Sequence, residues 1–298
     1  MLKIGIYGQF YHKNSGTYIQ AILEGLQQAK AQIVVEANFL SLIKENQEID
    51  RDYSEVETFT EIDASYDLFF SIGGDGTILK SITFVHDLGI PIVGINTGRL
   101  GFLATIQKEE LQECLDHVLK GNYSTSERSL LTVSTSPETT MSESLNFALN
   151  EIAVNRKNTT SMIKVATTLN GEHLTSYWSD GLIVATPTGS TGYSLSCGGP
   201  VIDPATNSLV ITPIAPHNLN ARPFVIPDST QITLTVSGRE DSYLLSMDSR
   251  IVTLQNDTLV HIKRAPFTIK LVQLEQNSFI KTIRDKLLWG EDKRNLKQ

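Results

Sequence analysis

The stretch "FFSIGGDGTILKS" (residues 69–81) decides the fold. Leu68, Phe69, Phe70 and Ile72 leave almost no polar alternation, so Asp67 to Ile72 predicts a strand buried on both faces. From Thr77 onward, Ile78, Leu79 and Ile82 recur at helical spacing. The glycine turn between them is the carboxyl end of a strand meeting a helix N-terminus, the place where open α/β sheets hold ligands. Glycines there let the backbone approach an anion, and free amides at the helix start favour negative charge. Asp75 is the odd residue in such a loop. A carboxylate repels phosphate unless it holds a metal or takes a proton.

Outward from the loop, strands and helices alternate. Lys3 to Tyr7 and Ile33 to Leu40 read as strands, as does "IPIVGIN" (90–96). Thr17 to Lys30 and Lys108 to Lys120 carry helical stripes. This order predicts a mostly parallel, doubly wound, Rossmann-like α/β domain over residues 1–121. The acidic segment 41–66 reads as a surface loop or a mobile segment near the site. From residue 122 short β-rich runs such as "LLTVST", "IKVATTLN", "GLIVATPT" and "QITLTVS" follow one another, separated by turns such as Asn170-Gly171. They predict an all-β second domain over 122–275. Residues 276–298 return to helical spacing and are expected to form a tail helix packing back on the first domain.

Composition narrows the function classes. The chain has 298 residues, 40% hydrophobic and 19% charged, with a net charge of −8. That balance argues against a nucleic-acid partner, and it leaves any anionic ligand to be held by amides, a cation or a few basic side chains. Two cysteines, Cys114 and Cys197, are too few for a disulfide framework, which points to a reducing, cytoplasmic setting. Neither a signal peptide nor an apolar run of membrane-spanning length stands out, so no membrane partner is expected. The six histidines show no metal-ligand spacing, so no metal site made of side chains is expected.

Four stretches can carry chemistry. "GGDGT" (73–77) is neither a dinucleotide fingerprint nor a Walker loop, and read alone it is also a tight turn. "NTGRLGFL" (96–103) is either a ligand loop or a turn needing Gly98 and Gly101 for positive φ. Asn150 and Glu151 in "LNEIAVNR" are either an exposed strand end or a pair able to hydrogen-bond a ribose diol. "SDGLIVATPTGSTGYSLSCGGP" (179–200) has more small hydroxyl residues and glycines than a simple turn requires. Its Ser190, Thr191, Ser194 and Ser196 can donate to phosphates or an adenine edge, and Tyr193 offers a stacking face. Lys80, one helical turn beyond Asp75, is a surface lysine or a phosphate contact. "MDSR" (247–250) lies between two strands, its Asp and Arg reading as turn and surface.

Together with "PHNLNARP" (216–223), these stretches resemble the NAD kinase family over nearly the whole chain. The glycine–aspartate loop alone is shared with diacylglycerol and sphingoid kinases; the Thr/Gly/Ser stretch narrows the resemblance to NAD. The resemblance implies phosphoryl transfer from ATP to the 2′-hydroxyl of the adenosine ribose of NAD, a step of NADP biosynthesis. It implies Asp75 as proton acceptor, and Gly73, Gly74, Gly76, Thr77 and Lys80 as phosphate contacts. NAD contacts carried over are Asn150, Glu151, Ser161, Trp178, Asp180, Thr188, Thr191, Gly192, Tyr193, Ser194, Leu195, Ser196 and Arg250. Arg250 stands where relatives often have glutamine; Trp178 and Ser161 stand where relatives often have polar or basic residues. A divalent cation, Mg²⁺ or else Mn²⁺, is expected with the ATP, and the family assembles as homodimers or homotetramers. A lipid or sphingoid kinase, or a nucleotide binder without turnover, are the alternatives. No basic amphipathic stretch favours a lipid surface, and an intact Asp75 and 188–196 stretch disfavour a silent binder.

Overall fold

The computed structural model describes residues 1–10, 15–98, 100–139, 145–158, 161–275 and 277–289. The chain forms two compact units, residues 1–127 with 269–298, and residues 128–268.

The first unit alternates β1 (Lys3–Gly8), α1 (Ser15–Gln28), β2 (Gln32–Glu36), α2 (Ala37–Glu45), β3 (Glu57–Phe59), β4 (Leu68–Gly73), α3 (Asp75–Val85), β5 (Ile92–Asn96), β6 (Ile106–Gln107) and α4 (Leu111–Leu119). Its main strands run parallel in the order β5-β4-β1-β2-β3. Ile4, Ile6, Phe69 and Phe70 are fully buried in it, each such side chain contributing about 1.5–3 kcal/mol of apolar transfer. The chain builds from β1 outward to β2 and β3, then returns to the other side of β1 with β4 and β5. That reversal makes the carboxyl ends of β1 and β4 the switch point of the sheet. The GGDGT loop leaves β4 there.

Two boundaries differ from the sequence reading. Ile33 to Leu40 reads as one strand, but β2 ends at Glu36 and α2 begins at once. The Glu36 carboxylate accepts from the Phe39 amide (2.8 Å) and so caps the helix that buries Phe39 and Leu40. α3 begins at Asp75 rather than Thr77, which makes Asp75 its first residue. The acidic segment is also less loop-like than expected: α2 runs to Glu45, β3 lies within it, and Tyr53 is 2% exposed.

Beyond α4 come β7 (Ser124–Ser136), β8 (Phe147–Ala148), β9 (Glu151–Arg156), β10 (Ile163–Leu169), β11 (Glu172–Ser179), β12 (Gly181–Ala185), the single turn α5 (Tyr193–Ser196), β13 (Ser208–Ile214), β14 (Phe224–Pro227), β15 (Ile232–Ser237), β16 (Ser242–Met247), β17 (Arg250–Gln255) and β18 (Leu259–Gln273). Within the second unit β14-β13-β12-β9-β16-β17 form an antiparallel sheet, and β11-β10-β15-β18 pair antiparallel in another. Val154, Leu182, Val184 and Leu245 meet Val165, Leu234, Val236 and Val260 in one core. Ala153, Ile183, Ala185 and Val210 pack with Ile202 on the other face of the six-stranded sheet. β12 is thus buried on both faces, and the Thr/Gly/Ser stretch begins where it ends. The end of β18 lies in the first unit, where Leu271 pairs in parallel with Ile92. The tail helix α6 (Phe279–Leu287) belongs to the first unit; Gln276 and residues 290–298 of the tail lie outside the described residues.

Candidate active site

In the first unit the GGDGT loop folds around its own threonine. The Thr77 amide donates to the Gly74 carbonyl (2.9 Å), and the Gly74 amide donates to the Thr77 hydroxyl (3.2 Å). The Gly73 carbonyl accepts from the Thr97 amide (3.0 Å), tying the loop to the end of β5. Thr77 is fully buried, whereas Gly76 and Lys80 are exposed one turn apart on the same helix face. The amides of Asp75 and Gly76 have no acceptor among the described residues, as the geometry of a helix start dictates. At Gly74 and Gly76 a side chain would meet nothing within 4 Å.

Asp75 is held from the second loop. Its Oδ1 accepts from the amides of Leu103 and Ala104 (3.0 Å each), and its Oδ2 accepts from the amide of Phe102 (2.8 Å). Each carboxylate oxygen offers two lone pairs, so Oδ1 is filled and Oδ2 keeps one. Gly101 explains the "LGF" spacing. It does not serve a left-handed φ; a Cβ there would collide with the Asp75 carboxylate. Asn96 closes the loop: its Nδ2 donates to the Ala104 carbonyl (3.2 Å) and its Oδ1 accepts from the Gly98 amide (2.7 Å). Arg99 of this stretch, like His12, lies outside the described residues.

In the second unit a different aspartate does the same work. Asp248 Oδ1 accepts from the amides of Asn150 (2.8 Å) and Glu151 (3.2 Å), and its Oδ2 accepts from that of Leu149 (2.9 Å). Asp248 sits at φ 52 in the turn between β16 and β17. The reading of "MDSR" as an ordinary turn misses this brace. Left-handed φ at an aspartate is a local signal for a turn, but nothing local announces partners almost a hundred residues earlier. Burial raises the Asp248 carboxyl above the usual carboxylate range. Arg250 donates from Nη1 to the Leu145 carbonyl (2.8 Å) and from Nη2 to the Phe147 carbonyl, and stacks 4.9 Å from the Phe147 ring. Its guanidinium is therefore committed to the segment just before Asn150, and burial lowers its pKa.

The Thr/Gly/Ser stretch folds onto that braced pair. The Thr186 amide donates to the Asn150 carbonyl (2.9 Å) and its hydroxyl to the Leu149 carbonyl (2.6 Å). Gly189 lies against the Asn150 backbone so closely that a Cβ would clash. A Cβ at Gly192 would stand 3.1 Å from Glu151 Oε2 and 3.7 Å from Asn150 Nδ2. Asn150, Glu151, Thr188, Thr191, Gly192 and Tyr193 thus form one cluster. Glu151 is pushed up to about 7, first by burial and then by the charge of Asp248, against a bond from the Tyr193 amide. Its Oε2 is buried without a hydrogen-bond partner. Beneath the turn, Arg128 is 5% exposed and reaches Thr188 Oγ1 at 3.5 Å.

The hydroxyls in this stretch divide by direction. Ser190 donates to the Pro187 carbonyl (2.6 Å) and accepts from the Ile202 amide (2.9 Å), and Ser194 bonds Thr212 (2.8 Å); both are fully buried. Thr191 donates to the Thr188 carbonyl (3.1 Å). Tyr193 and Ser196 are exposed, and Leu195 is half-buried. Trp178 and Ser161 line a recess of about 610 Å³ with Arg156, Lys164 and Arg239. Asp180, two residues beyond Trp178, pairs with Arg156 at 2.9 Å. Arg222 fastens its own loop through the Leu219 and Ala221 carbonyls, and the His217 amide donates to the Trp178 carbonyl (2.8 Å). Among the described residues no group of three or more His, Cys, Asp or Glu side chains is placed to hold a metal, and no helix is long and apolar enough to cross a membrane.

Known proteins identify the family. Residues 4–123 match the ATP-NAD kinase N-terminal domain and residues 149–274 the ATP-NAD kinase C-terminal domain. The chain is 62% identical over 294 residues to the NAD kinase of Christiangramia forsetii, covering 99% of this chain and 100% of that one. It is 41% identical over 293 residues to the NAD kinase of Bacteroides fragilis, covering 98% and 100%. Among solved structures, yeast NADH kinase complexed with NADH shares the fold at a TM-score of 0.84 and 23% identity, over 98% of this chain and 89% of that one. An NAD kinase from Archaeoglobus fulgidus in complex with ATP superposes at 0.72 and 25% identity, over 96% and 97%. With both domains matched and a 62%-identical relative covering 99% of its length, this kinase belongs to the NAD kinase family.

Proposed function

We propose that this chain transfers the γ-phosphoryl group of ATP to the 2′-hydroxyl of the adenosine ribose of NAD, giving NADP and ADP. The ribose O–H bond breaks and its proton passes to Asp75; a bond forms from that oxygen to the γ-phosphorus, and the bond from the γ-phosphorus to the ADP oxygen breaks. The observation that carries the reading is the unused lone pair on Asp75 Oδ2, in a carboxylate whose other acceptor positions are filled by backbone amides. Three amides fix its orientation, so the proton acceptor is positioned before substrate arrives.

The remaining roles follow the same logic. The open amides of Asp75 and Gly76 donate to phosphate oxygens at the N-terminus of α3, with exposed Lys80 one turn on. Gly73, Gly74 and Thr77 hold the loop in shape for them. Asn150 and Glu151 bind NAD hydroxyls, the unpartnered Glu151 Oε2 accepting one of them. Thr188, Thr191, Gly192, Tyr193, Leu195 and Ser196 line the adenine and ribose, Ser194 holding the turn from inside through Thr212. Asp180 contacts the nicotinamide end, near Trp178 and Ser161, and Arg250 braces the Asn150 segment. A divalent cation, if bound with the ATP, would offset the charge of its phosphates. In this reading the protein works in the cytoplasm as a homo-oligomer.

A donor-by-acceptor matrix tests the proposal: ATP or polyphosphate against NAD, NADH and a lipid diol, with Mg²⁺ or Mn²⁺. NADP formed from ATP and NAD is the expected result. Phosphorylated lipid without NADP overturns it.

A further inference from the structure

The tail helix α6 touches the loop that grips Asp75, and both belong to the first unit. Ser278 caps α6, accepting from the Lys281 amide (3.1 Å). Phe279, Thr282 and Lys286 lie at i, i+3 and i+7, one face of two helical turns. That face meets Phe102. The Phe279 ring packs 6.5 Å from the Phe102 ring, the Lys286 ammonium stands 4.6 Å over the Phe102 ring, and Thr282 is 6% exposed. The opposite face is free, with Ile280 71% exposed. Phe102 is the residue whose amide donates to Asp75 Oδ2, and its two successors fill Oδ1.

We propose that α6 is a positioning element for the reaction: Phe279 and Lys286 clamp the Phe102 ring and so fix the peptide N–H that orients Asp75 Oδ2. This rests on the assignment of Asp75 as proton acceptor. Neither residue touches substrate. Each acts through the 102–104 peptide, and releasing the ring lets the loop and the carboxylate rotate together. Displacing a reacting group by about 1 Å can lower a rate ~10²-fold, so a loosened clamp is expected to lower kcat without a matching change in substrate affinity.

The test uses the full chain with Phe279→Ala, Lys286→Ala, Phe279→Leu and Lys286→Arg, each with Asp75 intact and in an Asp75→Ala background. The readouts are kcat, KM for NAD and ATP, and amide hydrogen exchange over residues 102–104. With Asp75 intact, the alanine variants should lose ~10–100-fold in kcat with KM changed less than about threefold. Exchange at Phe102 to Ala104 should accelerate, and the leucine and arginine variants should recover most of the rate. In the Asp75→Ala background the same substitutions should change nothing further, as expected for residues acting through one group. Full turnover in the alanine variants, or an equal loss with and without the Asp75 carboxylate, overturns the clamp while leaving the base assignment standing. Wild-type turnover by Asp75→Ala itself overturns the assignment underneath it. Should Phe279→Ala fail to fold, the exposed Lys286 carries the same comparison.

Discussion

Asp75 and Asp248 each collect three consecutive backbone amides, yet they are expected to answer substitution differently. Asp75→Asn removes the acceptor and turns an amide NH₂ toward one of the three N–H groups it faced. The rate of NADP formation should fall ~10²–10⁴-fold, the usual contribution of a general base, and unfolding free energy should drop by about 1–3 kcal/mol for the unpaired amide. Asp248→Asn should cost stability on the same scale and raise KM for NAD through the displaced Asn150 and Glu151, with kcat changed little. Denaturant unfolding and steady-state kinetics separate the two patterns. Glu151 supplies a pH signature. Its folded pKa, about 7, stands above its ordinary value of 4.5, so the folded chain binds the extra proton between those values. Its contribution to stability is therefore whole below about pH 4.5 and is lost as pH rises through about 7. Unfolding midpoints compared at pH 5 and pH 8 should show Glu151→Gln flattening that decline; an identical slope in both proteins would refute the raised value. Asp75 was legible in sequence because a carboxylate among glycines at a strand exit is chemically anomalous. Asp248 was not, because its partners lie 97 to 99 residues earlier.

At the scale of elements, the proposed phosphate site at the start of α3 would set stability against binding. Gly76 occupies an exposed helical position where a methyl group would touch nothing within 4 Å. Gly76→Ala should therefore stabilise the fold by about 0.5–1 kcal/mol, since glycine is a poor helix former. The same methyl would fill the space in front of the open amides, so KM for ATP should rise several-fold. A variant with improved stability and unchanged KM would remove the phosphates from this helix end. Gly101→Ala works in the opposite sense, because its methyl meets the Asp75 carboxylate and must displace either that carboxylate or the loop. The alternation of β1 to α4 was readable because buried parallel strands and amphipathic helices have distinct periods. The break at Glu36 was not. The apolar run continues through Phe39 and Leu40, and the strand ends only because a glutamate side chain caps the next helix. Gly101 was noticed as a loop glycine for the wrong reason, since φ can be guessed from residue type whereas crowding by a residue 26 positions earlier cannot.

At the scale of the whole molecule, a chain of net charge −8 is proposed to bind two anionic nucleotides. That net charge offers them no long-range attraction, so in the proposed reaction affinity would rest on backbone amides, a few cations and a divalent ion arriving with ATP. The order of six motifs made the family readable from sequence, and the alternating periods made the fold class readable before it. The grip on the two aspartates did not, because it is built from main-chain amides, which every residue but proline carries and no motif distinguishes. The claim on which the rest depends is that the Asp75 carboxylate takes the ribose proton. Single-turnover formation of NADP from bound NAD and Mg-ATP by Asp75→Asn tests it most directly, with NAD affinity measured on the same protein. The account predicts a rate at least ~100-fold below wild type with NAD affinity within a few-fold. A rate within a few-fold of wild type would contradict it.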